Sequence, residues 1–237
     1  MNANLIRLSR AALLASTLLV VPATSQATVL VPGGAVMPEI LAGSAGTLVA
    51  SLLTPLTSGS ELIANLRTAV VMNSGGTLDF YYQIGNKGTS GHNIDLAFNQ
   101  SFAPGSTFAT DVFYRLENGG LDFFHNVASG GPTFASRNAS GSVVGFEFSG
   151  SPLRSALRIN PGEVSSILVI RTNATTYAAG STTIANSISL TGDSFAPSGF
   201  SPSAVPEPAS LLLLGSAFAA AGYVARHRVA KKKPTTV

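Results

Sequence analysis

The 237-residue chain has no cysteine and no tryptophan, and only 11% of its residues are charged. Without cysteine there are no disulfides, no thiolate metal ligands and no cysteine nucleophile. Without tryptophan, the largest aromatic surface for stacking on a sugar ring is missing. Long helical periodicity is also absent. Between Thr47 and Leu190 no extended stretch repeats apolar residues at helical spacing, which argues against an α/β architecture. The sequence holds no His-Glu-x-x-His, no Gly-x-Ser-x-Gly, no phosphate loop and no Asp-x-Asp calcium loop. Nothing here calls for a cofactor or a metal.

A net charge of +3 and a pI near 9.4 suggest an affinity for phosphates, but the position of the charges removes that reading. Arg7 and Arg10 lie near the N-terminus, and Arg226, Arg228, Lys231, Lys232 and Lys233 lie near the C-terminus. From Thr28 to Val205, seven Arg or Lys face ten Asp or Glu, which leaves −3. A mildly acidic body is a poor partner for nucleic acid.

Both ends are addressed to membranes. Arg7 and Arg10 precede an eleven-residue apolar run, Ala11 to Val21, and Pro22 closes it. Ser25-Gln26-Ala27 then offers small residues at the −3 and −1 positions, so residues 1–27 read as a secretory signal peptide. Signal peptidase would cut between Ala27 and Thr28, with cleavage after Ala23 as the second choice. At the other end, Ala209 to Ala225 is a seventeen-residue run without a charge. As a helix it covers roughly 26 Å, slightly short of the ~30 Å hydrocarbon core. The cations that follow it, with Glu207 on the other flank, predict a cytoplasmic tail over 229–237. The two ends agree on one topology, with the body outside the inner membrane.

Between the ends the pattern is strand, turn, strand. Residues 28–46 are rich in Pro and Gly and read as a loosely ordered lead-in. Leu48, Ala50 and Leu52 alternate until Pro55, which is expected to end that run. Leu62 to Met72 and Thr77 to Gly85 flank Asn73-Ser74-Gly75-Gly76, whose Asn and Gly accept positive φ, so a hairpin is expected there. Further strands are expected at His92 to Asn99, Ala109 to Leu116, Leu121 to Val127, Ser142 to Phe148, Val164 to Thr172 and Thr183 to Leu190. The fold expected over 47–192 is therefore an all-β sandwich, jelly-roll or immunoglobulin-like and antiparallel. Residues 193–204, with Pro197, Ser198, Gly199, Ser201, Pro202 and Ser203, read as a stiff polar linker.

Val205-Pro206-Glu207-Pro208, an apolar helix and a basic cluster follow one another in that order. This arrangement resembles the PEP-CTERM protein-sorting domain, here over 205–228. The resemblance implies an exported protein of a Gram-negative bacterium, held transiently in the inner membrane and processed by exosortase. It further implies that Val205 to Ser210 is the recognition site, Ala209 to Ala225 the anchor, and Arg226 to Lys233 the retention signal. An association with exopolysaccharide and biofilm matrix also follows from it. For the body itself the expectation is a non-enzymatic surface or matrix protein, with a carbohydrate-binding module or a hydrolase with an unrecognised site as the alternatives. Pro206 and Pro208 hold the motif extended, so that a processing enzyme can grip it.

Candidates for chemistry within the body are weak. His92 with Asp95 and Asp122 with His125 are each three apart, which on strands puts the members on opposite faces. Glu117, Asn118 and Asp122 flank a turn and offer oxygens to Ca²⁺, but also suit a solvated loop. Asp79, Asp95, Asp111, Asp122, Glu147 and Glu163 lie on separate segments, so no glycosidase pair stands out. Tyr81, Phe113 and Phe123 fall on the opposite parity from their strands' apolar face. They suit either a carbohydrate-binding surface or a second buried layer, and the absence of tryptophan favours burial.

Overall fold

The computed structural model describes residues 29–100, 109–127, 130–148 and 158–200. The expected signal peptide, the 205–228 sorting segment with its transmembrane helix, and the 229–237 tail lie outside them. Among the described residues there are twelve strands and no helix. They are β1 (Ala35–Val36), β2 (Glu39–Ile40), β3 (Thr47–Ser58), β4 (Leu62–Met72), β5 (Leu78–Asn86) and β6 (Leu96–Gln100), followed by β7 (Thr110–Arg115), β8 (Phe134–Arg137), β9 (Val143–Glu147), β10 (Ile167–Thr172), β11 (Ala174–Ala185) and β12 (Ser189–Phe200). They form two six-stranded sheets, ordered β1-β8-β9-β6-β11-β12 and β2-β7-β10-β5-β4-β3. All the pairings are antiparallel except β2 with β7, which is parallel.

The β4–β5 hairpin forms as its sequence predicts. Met72 pairs with Leu78 and Val70 with Phe80. Asn73 builds the turn: its N–H donates to the Thr77 carbonyl at 3.0 Å, and its Oδ1 accepts from Gly75 N–H at 2.9 Å. Gly76 stands at φ +77°, a left-handed conformation that glycine adopts without a Cβ penalty.

Period-two patterning on β4 and β5 sends Leu62, Leu66, Val70, Phe80, Tyr82 and Ile84 inward. There they meet Ala97, Val144, Phe146 and Ile184 from the other sheet in one buried cluster. Each large side chain removed from water in this way contributes about 1.5–3 kcal/mol. The opposite face of the β5 sheet carries a second, smaller core. Ala69, Val71, Tyr81, Phe113, Ile167 and Val169 are covered there by Ala45, Leu121 and Phe124.

That second core corrects several expectations. The strand expected over Leu121 to Val127 is a chain of turns, and its apolar residues plug the outer face of the sheet. The 28–46 segment is not a loose lead-in. Leu30 is fully buried in the main core, β1 joins one sheet and β2 the other. Pro55 does not end its strand, because β3 is the last strand of its sheet, and on an edge alternate N–H positions face away from the sheet and accommodate a proline. The same reason overturns the linker over 193–200. Pro197 lies opposite Tyr177 within β12, itself an edge strand, so the domain continues to Phe200. The strand expected over Thr183 to Leu190 spans a hairpin turn instead, with Ala185 paired to Ser189 across it. The first strand expected near His92 begins only at Leu96.

Gly46 shows how closely the segments pack. It stands at φ +112°, and a Cβ there would lie 2.4 Å from the Met72 carbonyl oxygen.

Candidate functional site

The described domain brings together charged residues that looked scattered in the sequence. Cross-strand register places Asp111 on β7 opposite Arg171 on β10, and Arg171 opposite Asp79 on β5. The Arg171 Nε lies 3.2 Å from Asp79 Oδ2, and Asn73 Nδ2 donates to Asp79 Oδ1 at 2.7 Å. The Arg171 guanidinium also stacks over the Phe113 ring, 5.2 Å from its centre. Asp79 is fully buried, and burial raises its carboxyl above the ordinary value although Arg171 and Asn73 pull the other way. Burial raises Asp111 as well, opposed by Arg171, and one of its carboxylate oxygens is buried with no hydrogen-bond partner.

The next rows on this face are apolar and then polar. Tyr81 and Phe113 are 0% and 2% exposed, and Tyr81 packs against Phe124 at 6.1 Å between ring centres. Burial, with Asp79 nearby, pushes the Tyr81 hydroxyl up to about 12. Gln83 clamps the covering segment: its Nε2 donates to the His125 carbonyl at 2.7 Å and its Oε1 accepts from His125 N–H at 2.9 Å. Arg115 is almost fully buried and donates to the Gly43 and Glu117 carbonyls. The sugar-stacking surface proposed for Tyr81 and Phe113 therefore does not exist, because both belong to the second core.

The remaining candidates are separated. Asp95 accepts from Asn93 and from Arg158 (2.9 and 3.3 Å), while His92 lies in the β5–β6 connection and uses its carbonyl to accept from Asn86. His125 lies in the covering segment, with its imidazole lowered by burial and by Arg67. Neither histidine is on a strand, so the opposite-face argument does not apply to them. Glu117 and Asn118 border an open cleft of about 660 Å³ with Gly43, Ser44, Asn126 and Val127. There Asn118 Oδ1 is occupied by Gly120 N–H and Asn126 Oδ1 by Asn118 N–H. Among the described residues no three His, Asp or Glu side chains converge to hold a metal ion. Glu163 is taken up by the Asn160 backbone and side chain (2.9 and 3.1 Å).

The carboxylate ladder was missed in the sequence because strand register cannot be read from it. The only available signal was that Asp79, Asp111 and Arg171 share the strand parity of the outer aromatics.

Function in this chain therefore points away from the interior of the β domain and towards what β12 leads into. The last strand ends at Phe200, and five residues separate it from Pro206-Glu207-Pro208 in the sequence. Residues 204–229 match the family model of the PEP-CTERM protein-sorting motif. The motif implies export, membrane-anchored sorting before cleavage, and exosortase as the processing partner. It covers the C-terminal region only. No curated protein and no solved structure matches the chain.

Proposed function

We propose that this chain is a non-enzymatic surface or extracellular-matrix protein of a Gram-negative bacterium, a β-sandwich delivered by its sorting signal and associated with exopolysaccharide. One observation carries the reading: the sorting motif at 204–229 begins four residues after the last residue of β12. The chain is led into the export pathway by the signal peptide over 1–27, cut between Ala27 and Thr28. Ala209 to Ala225 holds it in the inner membrane, with Arg226, Arg228 and Lys231 to Lys233 on the cytoplasmic side. Exosortase then recognises Val205, Pro206, Glu207 and Pro208 and releases the domain.

The non-enzymatic part is supported by how the polar side chains are used. Asp79 and Asp95 each hold separate segments together through an ion pair, and Glu163 closes its own turn onto Asn160. A carboxylate committed in this way is a poor general acid or base, which must be free to exchange a proton with substrate. Of the three aromatics of the carbohydrate-binding alternative, Tyr81 and Phe113 are lost to the second core and Phe123 packs half-buried against it.

Replacing Pro206, Glu207 and Pro208 together by alanine in the native host tests the sorting step. The altered protein is expected to accumulate in the inner-membrane fraction at full C-terminal length. Unchanged release into the medium would overturn the reading.

A further inference from the structure

Apolar and charged side chains are distributed unevenly along the strand axis of the domain. One end is where the chain leaves. Thr47 pairs with Met72 and Met72 with Leu78. Thr172 Oγ1 donates to the Leu78 carbonyl at 2.8 Å and accepts from Ala174 N–H at 3.1 Å, and Ala174 pairs with Phe200. The start of β3, the β4–β5 turn and the end of β12 therefore share this end.

Leu48, Val49 and Met72 are exposed there by 41–44%. Tyr177, opposite Pro197, and Val29, bridged to Asp111, are exposed as well. The turn Asn73-Ser74-Gly75-Gly76-Thr77 has no charged residue. In the row beneath it, Asp79 is buried and paired with Arg171.

The far end carries the charged turns, together with one exposed aromatic, Phe134. Gly91 N–H reaches the Ser60 carbonyl, Lys87 N–H the Ile63 carbonyl and Gly162 N–H the Asn86 carbonyl, so three turns meet there. Glu61, Lys87 and Glu163 stand exposed on those turns, with Arg158 close by.

An end whose turn carries no charge, whose Arg171 is paired with Asp79, and whose aliphatic and thioether side chains are half exposed is well suited to the boundary between headgroups and acyl chains. The chain itself supplies the partner. The apolar run begins at Ala209, nine residues beyond Phe200, and an extended chain of that length spans at most about 30 Å. A tether this short keeps the near end at high effective concentration at the bilayer surface.

We propose that the Leu48, Val49 and Met72 end of the domain is a membrane-docking face, resting on the lipid bilayer while the protein is anchored and directing the charged end away from it. The proposal rests on the reading of Ala209 to Ala225 as a membrane anchor. Docking would keep Pro206-Glu207-Pro208 close to the headgroups, within reach of a membrane-embedded processing enzyme.

Because the chain has no cysteine, single labels can be placed cleanly. The full chain is reconstituted in phosphatidylcholine vesicles with an environment-sensitive fluorophore on Val49→Cys, Ser60→Cys or Phe218→Cys, and quenched with bromine-labelled phosphatidylcholine. Labels at 49 and 218 are expected to lose most of their fluorescence and the label at 60 to keep it. Adding Leu48→Glu is expected to restore fluorescence at 49 without changing 218. Quenching at 218 with none at 49 would overturn the docking face and leave the anchor intact. Equal quenching at 49 and 60 would show that the domain has no preferred orientation, which also overturns the face. No quenching at 218 would overturn the anchor itself.

Discussion

Arg171→Met isolates the energetics of the buried carboxylate. At 3.2 Å and an effective dielectric of about 20, the Arg171–Asp79 attraction is worth about 5 kcal/mol gross. The Arg171 side chain is 36% exposed, so water already screens part of this, and about 3 kcal/mol is the expected loss at pH 7. Protonation sets a ceiling on that loss. Taking Asp79 from its ordinary value of 3.8 to full protonation costs at most about 4 kcal/mol at pH 7 and about 1.6 kcal/mol at pH 5.

The sign follows from the direction of the shift. Asp79 is already raised in the folded state, so the folded state binds its proton more tightly than the unfolded chain. Its contribution to stability falls as pH rises from 3.8 through the raised value, and acidification through that window restores it. Arg171→Met raises the carboxyl further and should therefore be most harmful above pH 7 and mild at pH 5. Urea unfolding followed by circular dichroism at pH 8, 7, 6 and 5 measures this directly. A loss that does not change across that series would refute the reasoning, as would Asp79→Asn combined with Arg171→Met being no more stable at pH 8 than Arg171→Met alone.

Tyr81→Ala should behave as a core truncation, costing about 3–5 kcal/mol in the same unfolding assay; a change in polysaccharide retention with unaltered stability would contradict the buried assignment. Gly46→Ala should cost about 3 kcal/mol, because it combines a left-handed backbone with a methyl pressed against the Met72 carbonyl. A Tm within a degree or two of the parent would show that this contact is absent.

The β4–β5 hairpin was legible because three independent signals coincide there: period-two apolar residues on both sides, a turn of Asn and Gly, and no proline in either strand. The edges were misread for one physical reason. Pro55 and Pro197 look like breakers in a linear sequence, yet each lies in the last strand of its sheet, where alternate N–H positions have no neighbour to serve. Edge position is a property of the whole sheet order and no local pattern carries it.

Leu121 to Val127 was misread for another reason. Its apolar residues are present because they cover Tyr81 and Phe113, and a covering loop shows the same composition as a strand. The Asp111, Arg171 and Asp79 ladder depended on register across three strands that are distant in sequence. The sorting motif was legible for the opposite reason: its order of prolines, apolar run and cations lies within one short stretch of chain.

The central claim is that the β domain is delivered by C-terminal processing, and the intact mass of the protein outside the native cell tests it most directly. The account predicts a chain beginning at Thr28 and ending upstream of Arg226, without the basic tail. An extracellular protein that still carries Lys231 to Val237 would contradict it.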